Sequence, residues 1–264
     1  MDIDLNADMG ECPRGSGDDR ALLPFVTSVS VACGFHAGNP GVMRRTVALA
    51  AEHGVAVGAH PGFPDMEGFG RRDLSVSPAD IEDFVIYQVG ALAAIAAAQG
   101  VRLQHVKPHG ALFNMAVRDR ALASAIARAA GVIDRTLILF GLPGSELVVA
   151  GERAGLRTAR EGFADRAYHA DGTLAPRSHP GAVIHDPEAV VQRAVRIVCD
   201  RSVEAIDGST VRLTVDTLCV HGDTPGAPDL AARIRAALTD AGVEVKALSS
   251  SKVRGEAPSP EPEA

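Results

Sequence analysis

The sequence predicts an α/β protein, a parallel (β/α) barrel that is seven-stranded and distorted. Seven times along the chain a short apolar run ends in a polar cluster, and a helical pattern follows each time. Strands that alternate with helices in this way are typical of a parallel sheet covered by helices. Seven units are fewer than the eight of a complete barrel. An open doubly wound sheet is therefore the alternative fold.

Turn and capping signals separate the elements. Asn39-Pro40 opens a helix that Gly54 ends, and Ser77-Pro78 opens one that runs to Gly100. The remaining helices begin at Asp119, Ser145, Pro187 and Pro225. The seven predicted strands are residues 3–7, 28–34, 55–59, 103–107, 136–140, 157–163 and 212–220.

Composition limits the domain count and the class of partner. The chain has 264 residues, which suits one barrel domain over 1–248, and the polar, Pro- and Glu-rich stretch 249–264 is expected to be a disordered tail. A net charge of −7 without a basic run argues against nucleic acid. No signal peptide precedes the first strand, and the longest apolar segment is too short to span a bilayer. We expect a cytoplasmic protein without a membrane contact.

Several familiar motifs are missing. The sequence has no P-loop, no G-x-G-x-x-G after the first strand, and neither H-E-x-x-H nor H-x-H. The cysteines lie far apart and are expected to be reduced. Cys33 and Cys219 precede His-bearing strand ends, but neither has a protease signature, so a thiol nucleophile is rejected. No residue is assigned as a metal ligand.

Two strands carry polar side chains, most of them ionisable, on one face. Asp4, Asn6 and Asp8 alternate along the first strand, and His105, Lys107 and His109 repeat the pattern. On an antiparallel edge this would be a wet face, but a parallel sheet covered by helices has none. Burying such groups is unfavourable unless they pair or serve a site. We therefore predict that these two faces belong to a functional site.

Other candidate residues stand where apolar strands turn into loops. Because active sites of such barrels lie at the carboxyl ends of the strands, these side chains are expected to converge. The residues that add to the two strand faces are Glu11, His36, His60, Glu161, Asp165, Arg166, His221 and Asp223. His53, His169, His179 and His185 are taken as surface residues. Arg71 and Arg72 follow a Gly-rich loop that could close over the mouth as a lid, or they form surface ion pairs.

The strand-end strings, taken together, resemble the LamB/YcsF family. They are LNADMGE, ACGFHAG, GAHPGFPDMEGFGRR, VKPHGAL, FADR with LAPR, and CVHGD. The resemblance extends from about Asp4 to Gly242. Two departures are present. Phe113 stands where the family commonly has Tyr, and CPRGSGDD follows the first string in place of an aromatic-Gly segment.

The resemblance implies a barrel related to glycoside hydrolases and deacetylases. It also implies a subunit of an ATP-dependent 5-oxoprolinase, which opens the lactam of 5-oxo-L-proline to L-glutamate with ATP, accompanied by Mg²⁺, and with two other subunits. In that reading Asp8 or Glu161 orients or deprotonates water, and His36, His60, His109 and His221 share proton transfer and oxyanion contact. Substrate or ATP binding falls to Asn6, Glu11, Arg71, Arg72, Lys107, Asp165, Arg166 and Asp223.

Two other functions remain open from the residues. One is a metal-dependent deacetylase or amidase acting on a sugar or small amide, with Asp8, His36 and His60 as ligands. The other is a non-catalytic subunit that binds a lactam. The density of ionisable groups at the mouth exceeds what binding one small anion needs, so catalysis is preferred.

Overall fold

A closed barrel of parallel strands forms the centre of the molecule. The computed structural model describes residues 1–11, 19–220 and 226–249. The barrel strands are β1 (Asp2–Met9), β2 (Ser28–Ala32), β3 (Ala56–His60), β4 (His105–Val106), β5 (Ile138–Gly141), β6 (Arg157–Phe163) and β9 (Thr217–Val220). Neighbours pair in parallel in this order, and β9 pairs with both β6 and β1. That closure confirms the seven-stranded barrel and excludes the open sheet.

Helices cover the outside of the barrel. They are α1 (Asp19–Leu22), α2 (Pro40–Glu52), α3 (Pro78–Ala97), α4 (Gly110–Ala116), α5 (Arg120–Ile133), α6 (Glu146–Arg153), α7 (Pro187–Val195) and α8 (Ala227–Asp240). A short 3₁₀ turn, Leu23–Phe25, follows α1, and a π-helical turn, Arg196–Asp200, extends α7. No helix in the described ranges is long and apolar enough to cross a membrane.

Two of the predicted helix starts are confirmed by their caps, whereas the predicted start at Pro225 lies outside the described residues. Asn39 accepts a hydrogen bond from the Val42 amide at 3.0 Å, and Ser77 accepts one from the Asp80 amide at 3.2 Å. In each case the side-chain oxygen satisfies an amide that has no partner within its helix, which fixes the entry of the chain. These caps place the loops that connect the strand ends to α2 and α3.

The structure contains several short elements that were not predicted from the sequence. The predicted strand 212–220 is divided: β9 joins the barrel, whereas β8 (Thr210–Arg212) pairs antiparallel with β7 (Ser202–Glu204) outside it. The pair β10 (Glu244–Val245) and β1 extends the sheet beside the barrel. Short strands and α4 carry too few residues for a period to be detected. The predicted tail lies outside the described residues after Ser249, whose carbonyl accepts from Arg157 at 2.7 Å.

The two faces of β1 separate the core from the interior of the barrel. Leu5, Ala7 and Met9 belong to the large apolar cluster between strands and helices. Asp4 and Asn6 lie on the other face and are fully buried. The alternation predicted from the sequence is therefore confirmed, and polar side chains occupy the interior of the barrel.

The interior has no room for a side chain at Gly58 in β3. A Cβ atom placed there would lie 2.2 Å from the ring of His105, which stacks on Phe140 with centroids 4.1 Å apart. We expect Gly58→Ala to lower the free energy of unfolding by about 1–3 kcal/mol, since the ring must shift against its neighbours.

Urea unfolding followed by circular dichroism measures this effect. Gly90→Ala in α3 is the matched control, because nothing lies within 4 Å of its Cβ position and alanine favours a helix. A Gly58→Ala protein that is as stable as the control would contradict the tight packing of the barrel interior.

Candidate active site

A cavity of about 850 Å³ opens at the carboxyl ends of the barrel strands. Its wall contains Asp8 from β1, His60 from β3, Phe163 from β6, and Lys107 and His109 after β4. Because parallel strands end at one side of the barrel, residues far apart in sequence meet here. The predicted convergence of strand-end residues is present in the structure.

Lys107 is the centre of a buried ionic network. Its Nζ atom lies 2.8 Å from Asp8 Oδ1 and 2.8 Å from Glu161 Oε1. It also donates to Asn6 Oδ1 at 3.2 Å and to Cys219 Sγ at 3.1 Å. One ammonium thus connects side chains from three strands. Burial of each charged group would be unfavourable without its partner.

Burial and the ionic partners act in opposite directions on these groups. Burial alone would lower the pKa of Lys107, but the negative charge of Asp8, 2.8 Å away, raises that pKa well above its ordinary value. Burial raises the pKa of Glu161, and the nearby Lys107 only partly offsets this. Lys107 is therefore a fixed cation at the base of the cavity.

Asp8 and Glu161 contact the same ammonium but differ in their access to the cavity. Asp8 lies in the cavity wall, whereas Glu161 is completely buried and is not part of that wall. Glu161 Oε1 also accepts from Asn6 Nδ2 at 3.1 Å. Asp8 can therefore touch a bound molecule, and Glu161 reaches one through Lys107.

A second polar network, centred on Asp4, holds Asn6 in position next to Lys107. Asp4 accepts hydrogen bonds from Thr27 at 2.7 Å, Ser28 at 2.8 Å and Thr217 at 2.6 Å. Thr217 in turn accepts from Asn6 at 2.7 Å. The chain of hydrogen bonds fixes the orientation of Asn6 and, through it, of Lys107.

Three histidines surround the carboxylate of Glu11 beside the lysine network. Glu11 Oε1 lies 3.2 Å from His36 Nε2, 3.2 Å from His109 Nδ1 and 3.6 Å from His60 Nε2. The rings of His36 and His109 stack with centroids 3.8 Å apart. We call these four residues the histidine cluster. One ligand atom from each lies within 4.8 Å of the others, so the cluster is the set that could hold a metal ion.

The histidines of this cluster differ in the direction of their pKa shifts. Burial lowers the pKa of His36 to about 3 and also lowers that of His109. Burial likewise opposes a charged His60, yet Asp8, 3.4 Å away, raises its pKa above the ordinary value. Burial would raise the pKa of Glu11, but the contacts with His109 and His36 lower it.

The loop 61–77 forms one side of the cavity and carries the two predicted lid arginines. Arg72 forms an ion pair with the buried Asp65, and the guanidinium of Arg71 lies 4.8 Å from the centre of the Phe69 ring. The Ala111 amide donates to the Gly70 carbonyl at 2.9 Å, which ties the loop to α4. Both arginines line the cavity, and their closing over a substrate stays a prediction.

Arg166 also lines the cavity. Its guanidinium donates to the carbonyls of Ala175 at 2.6 Å and Ala182 at 3.3 Å, which holds the segment after β6 in place. Burial lowers its pKa to about 10. Asp165 is buried next to it, and the predicted site residues His221 and Asp223 lie outside the described residues.

The two buried thiols behave as the sequence analysis expected. Burial raises the pKa of Cys33 to about 12 and that of Cys219 well above its ordinary value. Thiols held in this protonated state are poor nucleophiles. Cys219 contributes a weak acceptor to Lys107.

Comparison with known proteins assigns the family. The model of the LamB/YcsF family matches residues 3–253. The chain belongs to the LamB/YcsF family. It is 54% identical over 248 residues to the A-type 5-oxoprolinase subunit of Tolumonas auensis, with 93% of this chain and 99% of that protein covered. It is 53% identical over 252 residues to the A-type 5-oxoprolinase subunit of Bacillus subtilis, with 95% and 98% covered.

A solved structure agrees with this assignment. The lactam utilization protein from Thermus thermophilus is 51% identical to this LamB/YcsF chain, with a TM-score of 0.88, and the match covers 94% of this chain and all of that one.

The cavity of this LamB/YcsF chain also contains residues that the sequence analysis missed. His169, expected at the surface, lines the cavity, and so do Asn114 and Arg177. His53, His179 and His185 are exposed as expected. Phe113, the departure from the family string, packs edge-on against Phe163 with centroids 5.9 Å apart. These residues come from helices and loops, where strand periodicity carries no information.

Proposed function

We propose that this chain is a subunit of an ATP-dependent 5-oxoprolinase, which hydrolyses the lactam of 5-oxo-L-proline to L-glutamate coupled to conversion of ATP to ADP and phosphate. The observation that carries the proposal is the high identity, over nearly the whole chain, to proteins named as the A-type 5-oxoprolinase subunit. The two other subunit types complete the activity. The name of the Thermus thermophilus protein, a lactam utilization protein, supports the same class of substrate.

The chemistry of the lactam matches the groups in the cavity. A five-membered lactam is a stabilised amide, so its carbonyl carbon needs activation and its attacking water needs a base. ATP, with Mg²⁺, would activate the carbonyl by phosphorylating the lactam oxygen. Water then forms the new bond to the carbonyl carbon, the C–N bond breaks, and the ring nitrogen takes a proton to become the amino group of glutamate. Phosphate leaves when a further water cleaves the acyl phosphate.

Cations on the cavity wall fit an anionic substrate. Lys107 and Arg166 both line the cavity, where they present an ammonium and a guanidinium group. In the proposal these two groups neutralise the substrate carboxylate and the phosphoryl group. Arg71 and Arg72 add positive charge from the loop beside them.

Asp8 is the preferred base for the attacking water. It is the carboxylate that both contacts Lys107 and lies in the cavity wall. The lysine holds Asp8 in place, and a positioned carboxylate of this kind can accept a proton in the transition state. Glu161 positions Lys107 through their contact of 2.8 Å. The proton-transfer role of the histidines stays a prediction.

Glutamate release from 5-oxoproline tests the proposal. The purified chain is mixed with its two partner subunits, with and without ATP, and glutamate and phosphate are measured together. We expect glutamate only when all chains and ATP are present, with phosphate released in step. An assembled complex that binds ATP and releases no glutamate would overturn the proposal.

A further inference from the structure

The histidine cluster has the spacing of a metal site. Four ligands at about 2.1 Å from one ion in tetrahedral geometry lie about 3.4 Å apart. In the cluster, Glu11 Oε1 lies 3.2 Å, 3.2 Å and 3.6 Å from nitrogens of His36, His109 and His60, and the nitrogens of His60 and His109 are 2.9 Å apart. All four side chains are buried at strand ends.

Hydrogen bonds to the backbone determine which ring nitrogens carry protons. His60 Nδ1 donates to the carbonyl of Lys107 at 2.6 Å, and His109 Nε2 donates to the carbonyl of Phe69 at 2.8 Å. A carbonyl oxygen can only accept, so the outer nitrogen of each ring carries the proton. Metal-binding histidines are oriented by outer hydrogen bonds of this kind.

The inner nitrogens of the neutral rings therefore present lone pairs to each other. His60 Nε2 and His109 Nδ1 lie 2.9 Å apart, and Glu11 Oε1 completes a triangle of electron-rich atoms with them. Three acceptors without a donor between them repel one another. A cation bound at their centre removes this repulsion and satisfies all three atoms.

A proton on His60 is the rival occupant. Asp8 Oδ2 at 3.4 Å and Glu11 Oε1 at 3.6 Å would accept from it. One N–H satisfies only part of the triangle, because it points along one direction while His36 Nε2 and His109 Nδ1 approach Glu11 from others. The geometry is thus better matched by an ion that all four residues coordinate.

We propose that Glu11, His36, His60 and His109 bind one divalent transition-metal ion, with zinc as the reference ion. Three imidazoles and one carboxylate favour ions of this class over Mg²⁺ or Ca²⁺, which prefer oxygen. This set differs from the ligands that the sequence suggested for a metal-dependent amidase, since Asp8 contacts Lys107 and its place is taken by Glu11 and His109.

The proposed ion would face the large cavity. Glu11, His60 and His109 line that cavity, whereas His36 lines a second cavity of about 320 Å³, which Glu11 also borders. A bound ion would supply a Lewis acid at the cavity wall, where a carbonyl or phosphoryl oxygen could approach it. The site is assigned from its own geometry and does not depend on the lactam proposal.

Metal binding is measured on the full chain without any turnover. The protein is stripped with a chelator, dialysed, and titrated with Zn²⁺ and separately with Co²⁺. We expect one equivalent of metal by elemental analysis after gel filtration, and Co²⁺ should give the intense visible absorption of a four-coordinate site. A folded protein that retains no metal and shows only the spectrum of aqueous Co²⁺ would overturn the site and favour the proton.

Matched variants locate the ion. Glu11→Gln and His109→Ala should weaken Zn²⁺ binding by more than about a hundredfold, since even the loss of an outer hydrogen bond to a ligand weakens binding about 10–100-fold. His169→Ala removes a histidine that lines the same cavity outside the cluster, and it should bind one equivalent unchanged. Circular dichroism confirms that each variant is folded. Full binding by the folded Glu11→Gln and His109→Ala proteins would contradict the assignment.

These measurements separate the metal site from the proposed reaction. A complex that binds one Zn²⁺ per chain but releases no glutamate keeps the site and overturns the reaction. A complex that releases glutamate at full rate with no metal in the cluster keeps the reaction and overturns the site.

Discussion

Lys107→Met is expected to lower the free energy of unfolding by about 3–5 kcal/mol, the loss typical of breaking a buried ion pair. The lysine is 3% exposed, and its removal leaves the carboxylates of Asp8 and Glu161 facing each other without the ammonium between them. Asn6 also loses a donor to its side-chain oxygen. Methionine retains the apolar stem, so the loss reports the charge and not a cavity.

Urea unfolding at neutral pH measures this loss. Lys246→Met is the matched control: Lys246 forms ion pairs with Glu244 at 2.6 Å and Asp2 at 3.5 Å, but it is solvent-exposed, and its replacement should leave the unfolding midpoint unchanged. A Lys107→Met protein with the midpoint of the control would mean that the buried network does not hold the barrel together.

Asp8→Asn is expected to reduce kcat for glutamate release by about 10²–10⁴-fold while the protein stays folded. The substitution keeps the shape of the side chain, and the amide can still hydrogen-bond in the network. It removes the base that faces the cavity. The measurement is steady-state glutamate production by the assembled complex at saturating 5-oxoproline and ATP.

Glu161→Gln separates a direct role of Asp8 from one that acts through Lys107. Both carboxylates lie 2.8 Å from the same ammonium, so each substitution removes one negative charge at the same distance. Because Glu161 does not line the cavity, its loss should reduce kcat less than the Asp8 substitution does, since it acts only by displacing the cation. Equal losses for the two variants would assign Asp8 a positioning role as well.

The placement of polar residues along the strands could be predicted from the sequence alone. Alternation in β1 placed Asp4, Asn6 and Asp8 on one face, and the same face of the segment around β4 carries Lys107 and His109. The prediction succeeded because side chains alternate between the two faces of a strand. A parallel sheet covered by helices has no solvent-exposed face, so a row of polar side chains must point to the interior of the barrel. The barrel itself followed from seven repeats of strand and helix.

The roles within the site were decided only by the tertiary structure. The sequence could not distinguish Asp8 from Glu161, because both stand at strand ends; the barrel brings one to the cavity wall and buries the other. Likewise, Glu11 was grouped with binding residues, yet it lies at the centre of three histidines from three other strand ends.

The physical reason is that sequence periodicity reports the orientation of side chains within one helix or strand, whereas a functional site consists of side chains from several elements. Local spacing determines which face of a strand a side chain occupies, and it did so here for Asp8 and Lys107. The distance of 2.8 Å between them exists only because the barrel closes and brings β1 and β4 within reach across its interior. His169 reaches the cavity from a loop for the same reason, through contacts that no period in the sequence records.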